Sequence, residues 1–337
     1  MNKIIENPDT ILEDMVEGYL VLNQGRIRPI CDESGQPIKG ALTKVHGRNK
    51  VSIVIGGGAG NEPWCLEYVG KGMADAVVSG NVYMAPPAFS LLEAGKGIYH
   101  EKGILFVGTN HMGDLLNFEL VGELLATDPK ERIETECVFV NDDVVSDEKP
   151  ERRRGIAGIF YAVKMAGAAS EKGLDLAECK RITQKAIDRT RTMTVTTSAG
   201  VMPSNGIPMA DLPDGYVEYG MGFNGEPGIR REKLPAASVM TEYMLETLME
   251  DLKLRKEEEL AVLISGLGGS SRLELLIVVQ QVSKWLRHRQ IPVFRIEQAD
   301  IFCPQETGGF SVTVLALDEE LKPYFLHPAE IDRYHRE

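Results

Sequence analysis

The chain has 337 residues, 43% of them hydrophobic, with 37 Lys and Arg against 50 Asp and Glu for a formal net charge of -13. That length and apolar fraction support a folded protein of two ordinary domains. The negative balance excludes a general nucleic-acid or anionic-membrane binder, because both partners are themselves negative and demand a basic patch. The one basic run, Arg152-Arg153-Arg154, follows Asp147, Glu148 and Glu151 and reads as a charged surface cluster at a helix start.

The opening stretch MNKIIENPDTILEDMVEGYL carries charge every few positions and lacks the apolar core of a signal peptide or membrane helix, so a cytoplasmic location is expected. Its residues Ile11, Leu12, Met15, Val16 and Tyr19 share one helical face, which predicts an amphipathic helix over 6–22. Residues 24–50, rich in Gly, Pro and charge, carry no assigned element. KVSIVIGGGAG then runs a β-branched strand straight into glycines. GILFVGT (103–109) and TECVFVN (135–141) are further buried strands, preceded by helices over 88–95 and 114–127. Such alternation implies an α/β domain with a largely parallel sheet and right-handed crossovers.

Residues 155–192 read as two helices, GIAGIFYAVKMAGAASEKG ended by Gly173 and then DLAECKRITQKAIDRTRTM. From 193 the character changes to short strands separated by Gly/Pro turns. These are followed by a helix over 236–255, a strand over 260–266, a helix over 272–289 and strands over 293–299 and 310–318. Two α/β domains are therefore expected, 1–192 and 193–337. The five cysteines, Cys31, Cys65, Cys137, Cys179 and Cys303, are scattered without a CxxC pair or a His/Cys cluster. They read as reduced, mostly buried thiols, with no disulfide framework and no metal site.

Two stretches carry candidate chemistry in the first domain. GGGAGNEP (56–63) lacks the Lys-Ser/Thr of a P-loop and the spacing of a dinucleotide fingerprint. It is either a tight strand-to-helix turn or a loop in which Gly57, Gly58, Gly60 and Asn61 contact a small hydroxylated molecule. TNHMGDLLNFE (109–119) puts Asp114 just after a strand end, where ligands sit in α/β sheets. Asp114 can accept a proton from a substrate hydroxyl, or it can N-cap the helix that follows.

In the second domain, GMGFNGEPGIRRE (220–232) sets Asn224 in a glycine-lined turn where backbone can approach a ligand closely. An amide hydrogen-bonds, but it neither attacks a carbonyl nor shuttles protons at neutral pH.

Together, GGGAGNEP, YVGKGMADAVVSGNVY, MGDLLNFE, VNDDV, RRRGIAGIFYAVKMAGAASEKG, MGFNGEPGIRRE and SGLGG resemble the substrate-binding K subunit of dihydroxyacetone kinases, in order and nearly full length. The resemblance implies two α/β domains with mixed or parallel sheets flanked by helices, a homodimer, and a bound three-carbon ketose. It implies no cofactor on this chain: the phosphoryl donor, ATP or a held ADP with Mg, belongs to a separate L-type subunit.

The departures are chemical. Where the family has a histidine that forms a covalent hemiaminal with the ketone, this chain has Asn224. A second family histidine is Asn61, with Ala59 in place of a serine. The family's Lys-Asn-Tyr-Thr-Gly-Asp becomes Thr109-Asn110-His111-Met112-Gly113-Asp114, its Phe-Thr-Ser-Pro becomes Tyr83-Met84-Ala85-Pro86, and its Met-Thr-Ser-Leu-Asp-Met becomes Phe302-Cys303-Pro304-Gln305-Glu306-Thr307.

Covalent trapping is thereby lost, and Asp114 is left as the family's remaining acid/base residue. Met84 and Ala85 make the pocket less polar, with Asn61, Thr109, His111 and Asn224 as hydrogen-bonding candidates. His111 and Cys65 are either replacement catalytic groups or a packed loop histidine and a buried thiol. Two functions follow as expectations. One is a kinase substrate subunit for a small polyol, ketose or sugar acid served by an L-type partner. The other is a non-catalytic metabolite sensor acting on a transcriptional regulator, as a coactivator paralogue in the family does.

Overall fold

The computed structural model describes residues 3–44, 49–99, 101–332 and 334–336. The chain forms two units. One contains the residues up to Val140, Ala162–Lys185 and the segment from Pro323 on; the other contains Asn141–Tyr161 and Ala186–Lys322. The single boundary expected near 193 falls inside a strand. The chain instead passes between units after Val140, within two long helices at 161–162 and 185–186, and again at 322–323 in a short C-terminal helix.

In the first unit the elements are α1 (Ile11–Leu22), β1 (Ile27–Cys31), β2 (Pro37–Lys44), β3 (Ser52–Ala59), β4 (Ala76–Val82), α2 (Ala88–Ile98), β5 (Ile104–Thr109), α3 (Met112–Ala126), β6 (Thr135–Val140), α4 (Ile159–Glu171) and α5 (Leu176–Asp188). The sheet runs β1-β2-β4-β3-β5-β6. β3 pairs in parallel with β4 and β5, and β5 with β6, whereas β1 and β2 are antiparallel. The carboxyl ends of β3, β4 and β5 therefore share one sheet edge. Ile53, Val54 and Ile55, all at 0% exposure, show why β3 is a continuous apolar run: a parallel strand is covered on both faces. α2 and α3 cover one face through Leu91, Ala94, Phe118, Val121 and Leu125.

The unassigned 24–50 stretch contains the β1–β2 hairpin. The Asp32 carboxylate accepts the N–H groups of Ser34 and Gln36 at 2.8 and 3.0 Å, and Gly35 takes φ +82°. An Asx turn of this kind carries no hydrophobic period, which is why the strands it joins escape a pattern search.

The second unit contains β7 (Thr190–Ser198), β8 (Tyr216–Tyr219), β9 (Arg230–Lys233), α6 (Ala237–Leu252), β10 (Glu259–Gly266), α7 (Arg272–His288), β11 (Val293–Gln298) and β12 (Gly308–Leu317). Its sheet order is β11-β10-β12-β7-β8-β9. Only β10 and β11 run parallel, so this sheet is mainly antiparallel. Met244, Leu248, Val278 and Val282 of α6 and α7 pack on Met193, Val195, Val262 and Val312. β7 begins at Thr190, where a helix to Met193 was expected: alternating threonines with Met193 and Val195 have period two and β-branched side chains. A short α8 (Lys322–Phe325) and the hairpin β13 (Ala329–Ile331) and β14 (Tyr334–Arg336) follow.

The basic run is not a surface cluster. Arg153, 5% exposed, grips Asp251 with two hydrogen bonds of 3.0 and 2.6 Å, and Arg154 donates to Asp143 at 2.8 Å. Only Arg152 is exposed. Among the described residues no helix is long and apolar enough to cross a membrane.

Candidate functional site

Three loops leave the shared sheet edge of the first unit: Gly57–Asn61 from β3, Tyr83–Pro86 from β4 and Thr109–Asp114 from β5. Ligands of α/β sheets bind at such carboxyl ends. The glycines of the β3 loop are explained first by the protein's own packing. A Cβ on Gly57 would lie 2.5 Å from the Trp64 indole nitrogen, and one on Gly58 would lie 2.7 Å from the Met84 backbone nitrogen. Gly60 holds φ +95°, and its N–H donates to Glu62 Oε1 at 2.9 Å. The room made by Gly57 and Gly58 is thus filled by Trp64 and the Tyr83–Met84 backbone, neither of which the motif advertises.

The β4 loop is pinned over the strand ends. Tyr83 N–H donates to Ala59 O at 2.8 Å, Met84 N–H to Asn81 O at 2.9 Å, and Asn117 Nδ2 of α3 to Pro86 O at 2.8 Å. The Ala85 methyl lies 2.9 Å from where a Cβ on Gly113 would sit, so Gly113 lets the start of α3 approach. Met84 is 59% exposed.

Asp114 is 5% exposed and accepts the Thr109 hydroxyl at 2.5 Å. Burial pushes its carboxyl up to about 6, with the Thr109 hydrogen bond pulling the other way. It does not cap its helix. His111 is the N-cap residue, without a side-chain cap, and α3 begins at Met112, which puts Asp114 inside the first turn. There the positive end of the helix favours its ionised form. Half-buried His111 turns back, with Nδ1 2.9 Å from Thr109 Oγ1.

Asn61 is 5% exposed, and among the described residues no donor reaches its enclosed Oδ1. Cys65 is not a replacement nucleophile. Its buried thiol donates to Gly57 O at 3.6 Å, and burial, with Glu62 and Asp114 nearby, drives it far from ionisation.

The structure brings Gly57, Gly58, Gly60, Asn61, Met84, Ala85, Thr109, His111 and Asp114 together at one edge of the first unit. Asn224 belongs to the second unit. It is exposed, with its N–H and Nδ2 on the Glu226 carboxylate at 3.1 and 3.4 Å. A Cβ on Gly222 would meet Glu226 Oε2 at 2.1 Å and Arg154 at 2.4 Å, so that glycine serves the carboxylate beneath the turn. Arg154 also donates to Asp143 and to Gly220 O at 3.0 Å. Burial lifts the Asp143 carboxyl to about 6 despite this guanidinium. VNDDV and the basic run therefore meet under the Asn224 turn, a pairing that sequence separation conceals.

A cavity of about 340 Å³ opens elsewhere in the first unit, lined by Arg26, Lys44, Lys71, Glu171, Glu330 and Asp332 among others. Arg26 and Lys44 there are already held by Asp332 and Asp75, at 2.8 and 2.5 Å.

Residues 32–333 match the Dak1 domain. The chain is 34% identical over 99% of its length to a D-erythrulose kinase of Mycolicibacterium smegmatis, spanning 56% of that protein. It is 33% identical to a Listeria innocua PTS-dependent dihydroxyacetone kinase, dihydroxyacetone-binding subunit, covering 98% of both chains. The crystal structure of the dihydroxyacetone kinase of C. freundii superposes with a TM-score of 0.88 at 26% identity, over 99% of this chain and 60% of that one. A match across nearly the whole chain, in sequence and in fold, means that this protein belongs to the Dak1 domain family.

Proposed function

We propose that this chain is the substrate-holding part of a kinase, binding a small polyol, ketose or sugar acid without a covalent bond for phosphorylation by a separate L-type nucleotide-binding subunit. The observation that carries the reading is Asp114: a carboxyl buried at the carboxyl ends of parallel strands and poised near 6. A general base works best when its proton affinity lies near the working pH. As the substrate oxygen bonds to phosphorus, its proton passes to Asp114, and the leaving oxygen of the donor keeps the electron pair.

Asn224 cannot add to a carbonyl because its nitrogen lone pair is delocalised, so recognition rests on shape and hydrogen bonds. GGGAGNEP offers no phosphate cradle, since Trp64 and Met84 occupy the space beside Gly57 and Gly58. The donor therefore comes from the partner, and a homodimer belongs to the same proposal. The exposed amide at Asn224 favours a second reading, a metabolite sensor signalling to a regulator, for which binding without turnover suffices.

Thermal-shift screening of short polyols, ketoses and sugar acids, followed by phosphorylation assays with an L-type subunit and ATP, separates the two. A ligand that binds yet is never phosphorylated refutes the kinase reading. Continuous density between a dihydroxyacetone carbon and any side chain in a soaked crystal refutes non-covalent holding.

A further inference from the structure

Thr109, His111 and Asp114 form one hydrogen-bonded chain. Thr109 Oγ1 donates to Asp114 Oδ2 at 2.5 Å, and His111 Nδ1 lies 2.9 Å from the same Oγ1. The backbone holds this arrangement: His111 N–H donates to Thr109 O at 2.8 Å, and Leu115 N–H to His111 O at 3.0 Å. With Thr109 at 3% exposure and Asp114 at 5%, bulk water is not a ready substitute for either partner.

A hydroxyl has one proton to donate, and an ionised carboxylate only accepts. With the Thr109 proton committed to Asp114, its oxygen can only accept, so the bridging proton on His111 sits on Nδ1. A β-branched side chain has few χ1 choices, which keeps the hydroxyl aimed. Among the described residues Asp114 Oδ1 carries no hydrogen bond, so one carboxylate oxygen is anchored and the other is available.

We propose that Thr109 and His111 are positioning residues for Asp114: His111 orients the Thr109 hydroxyl, which anchors Oδ2 and leaves Oδ1 to take the proton of a ligand hydroxyl. This rests on the reading of Asp114 as proton acceptor. Desolvation raises the Asp114 carboxyl, and the Thr109 hydrogen bond pulls it back toward the ionised form. Cys65, on the loop after β3, is a titratable group that Asp114 acts on. The thiol stays neutral, and both Asp114 and Glu62 push it further from ionisation.

The test uses the full chain in NMR titrations, following the Asp114 carboxyl carbon and the His111 ring nitrogens, with Asp114→Asn and His111→Phe for assignment. In the unmodified protein neutral His111 should carry its proton on Nδ1. Thr109→Val should move the Asp114 midpoint upward and release the tautomer, and Thr109→Ser should restore both. His111→Phe should move the carboxyl in the same direction by less. With a phosphorylated substrate in hand, Thr109→Val should lower kcat about tenfold to a hundredfold, the worth of one hydrogen bond to a charged group, with KM little changed.

A Thr109→Val protein that folds with the Asp114 midpoint unmoved overturns the relay alone, as does a neutral His111 protonated on Nε2 in the unmodified protein. The latter holds even if Thr109→Val fails to fold. Full turnover by Asp114→Asn overturns the base assignment itself, and with it the purpose of the relay.

Discussion

Burial acts on Asp114 in two directions. It raises the carboxyl from 3.8 to about 6, so the folded chain holds a proton that the unfolded chain has already released between about pH 4 and 6. The stabilisation from that proton is complete below the unfolded value and is lost as pH rises through about 6. With Asp114 as the proposed base, activity should run the opposite way, because only the ionised carboxylate accepts a proton. Phosphorylation should therefore rise through about pH 6, while the denaturation midpoint of the unmodified protein, relative to Asp114→Asn, should fall over the same interval. Asp114→Asn should also lower kcat on the order of 10²–10⁴-fold with ligand affinity largely kept, as assayed with the L-type partner. Asn61 holds a similar tension. Its enclosed Oδ1 has no donor, so Asn61→Leu should raise the melting temperature of the ligand-free protein, relieving about 1–3 kcal/mol, and weaken ligand binding by calorimetry. A variant that melts lower and binds as before would show that the oxygen serves no ligand.

At the scale of elements, the glycines at the end of β3 are steric necessities. Gly57→Ala places a methyl against the Trp64 ring and should destabilise the protein by about 1–3 kcal/mol in urea titrations, with ligand affinity falling as the loop shifts. α7 is held at its start by a capping box, in which Ser271 Oγ accepts the Glu274 N–H at 3.4 Å and Glu274 Oε2 accepts the Ser271 N–H at 2.8 Å. Ser271→Ala should remove about 1 kcal/mol without touching the site, read from the same denaturation curves. Elements with a strong period were legible in advance: β3 and β5 from apolar runs, α6 and α7 from helical faces. β1 and β2 were not, because an Asx turn and alternating charge leave little periodic signal. β7 was overrun by the preceding helix because helical and strand periods overlap where α5 passes into threonines at Thr190.

At the scale of the whole molecule, the relatives come in two lengths. The chain spans 56% of the D-erythrulose kinase but 98% of the Listeria dihydroxyacetone-binding subunit. Given ATP and a bound acceptor, this chain alone should form no phosphorylated product, and product should appear only when a nucleotide-holding L-type subunit is added. Mass spectrometry of the acceptor checks this, and turnover by the chain alone would refute the division of labour.

The sequence by itself determined the family and the α/β class, and it put an amide, Asn224, where the resemblance implies an imidazole, because these depend on residue identity in ordered motifs. It also marked Asp114 as the residue to watch. Only the tertiary structure decided what Asp114 is. Whether a carboxyl caps a helix or stands buried beside a threonine depends on where its loop is set against neighbouring strands, and desolvation has no signature in local sequence. The same holds for Gly57, whose partner Trp64 arrives through folding, and for Arg154, which reaches Asp143 and Glu226 across distances that only the packed second unit closes.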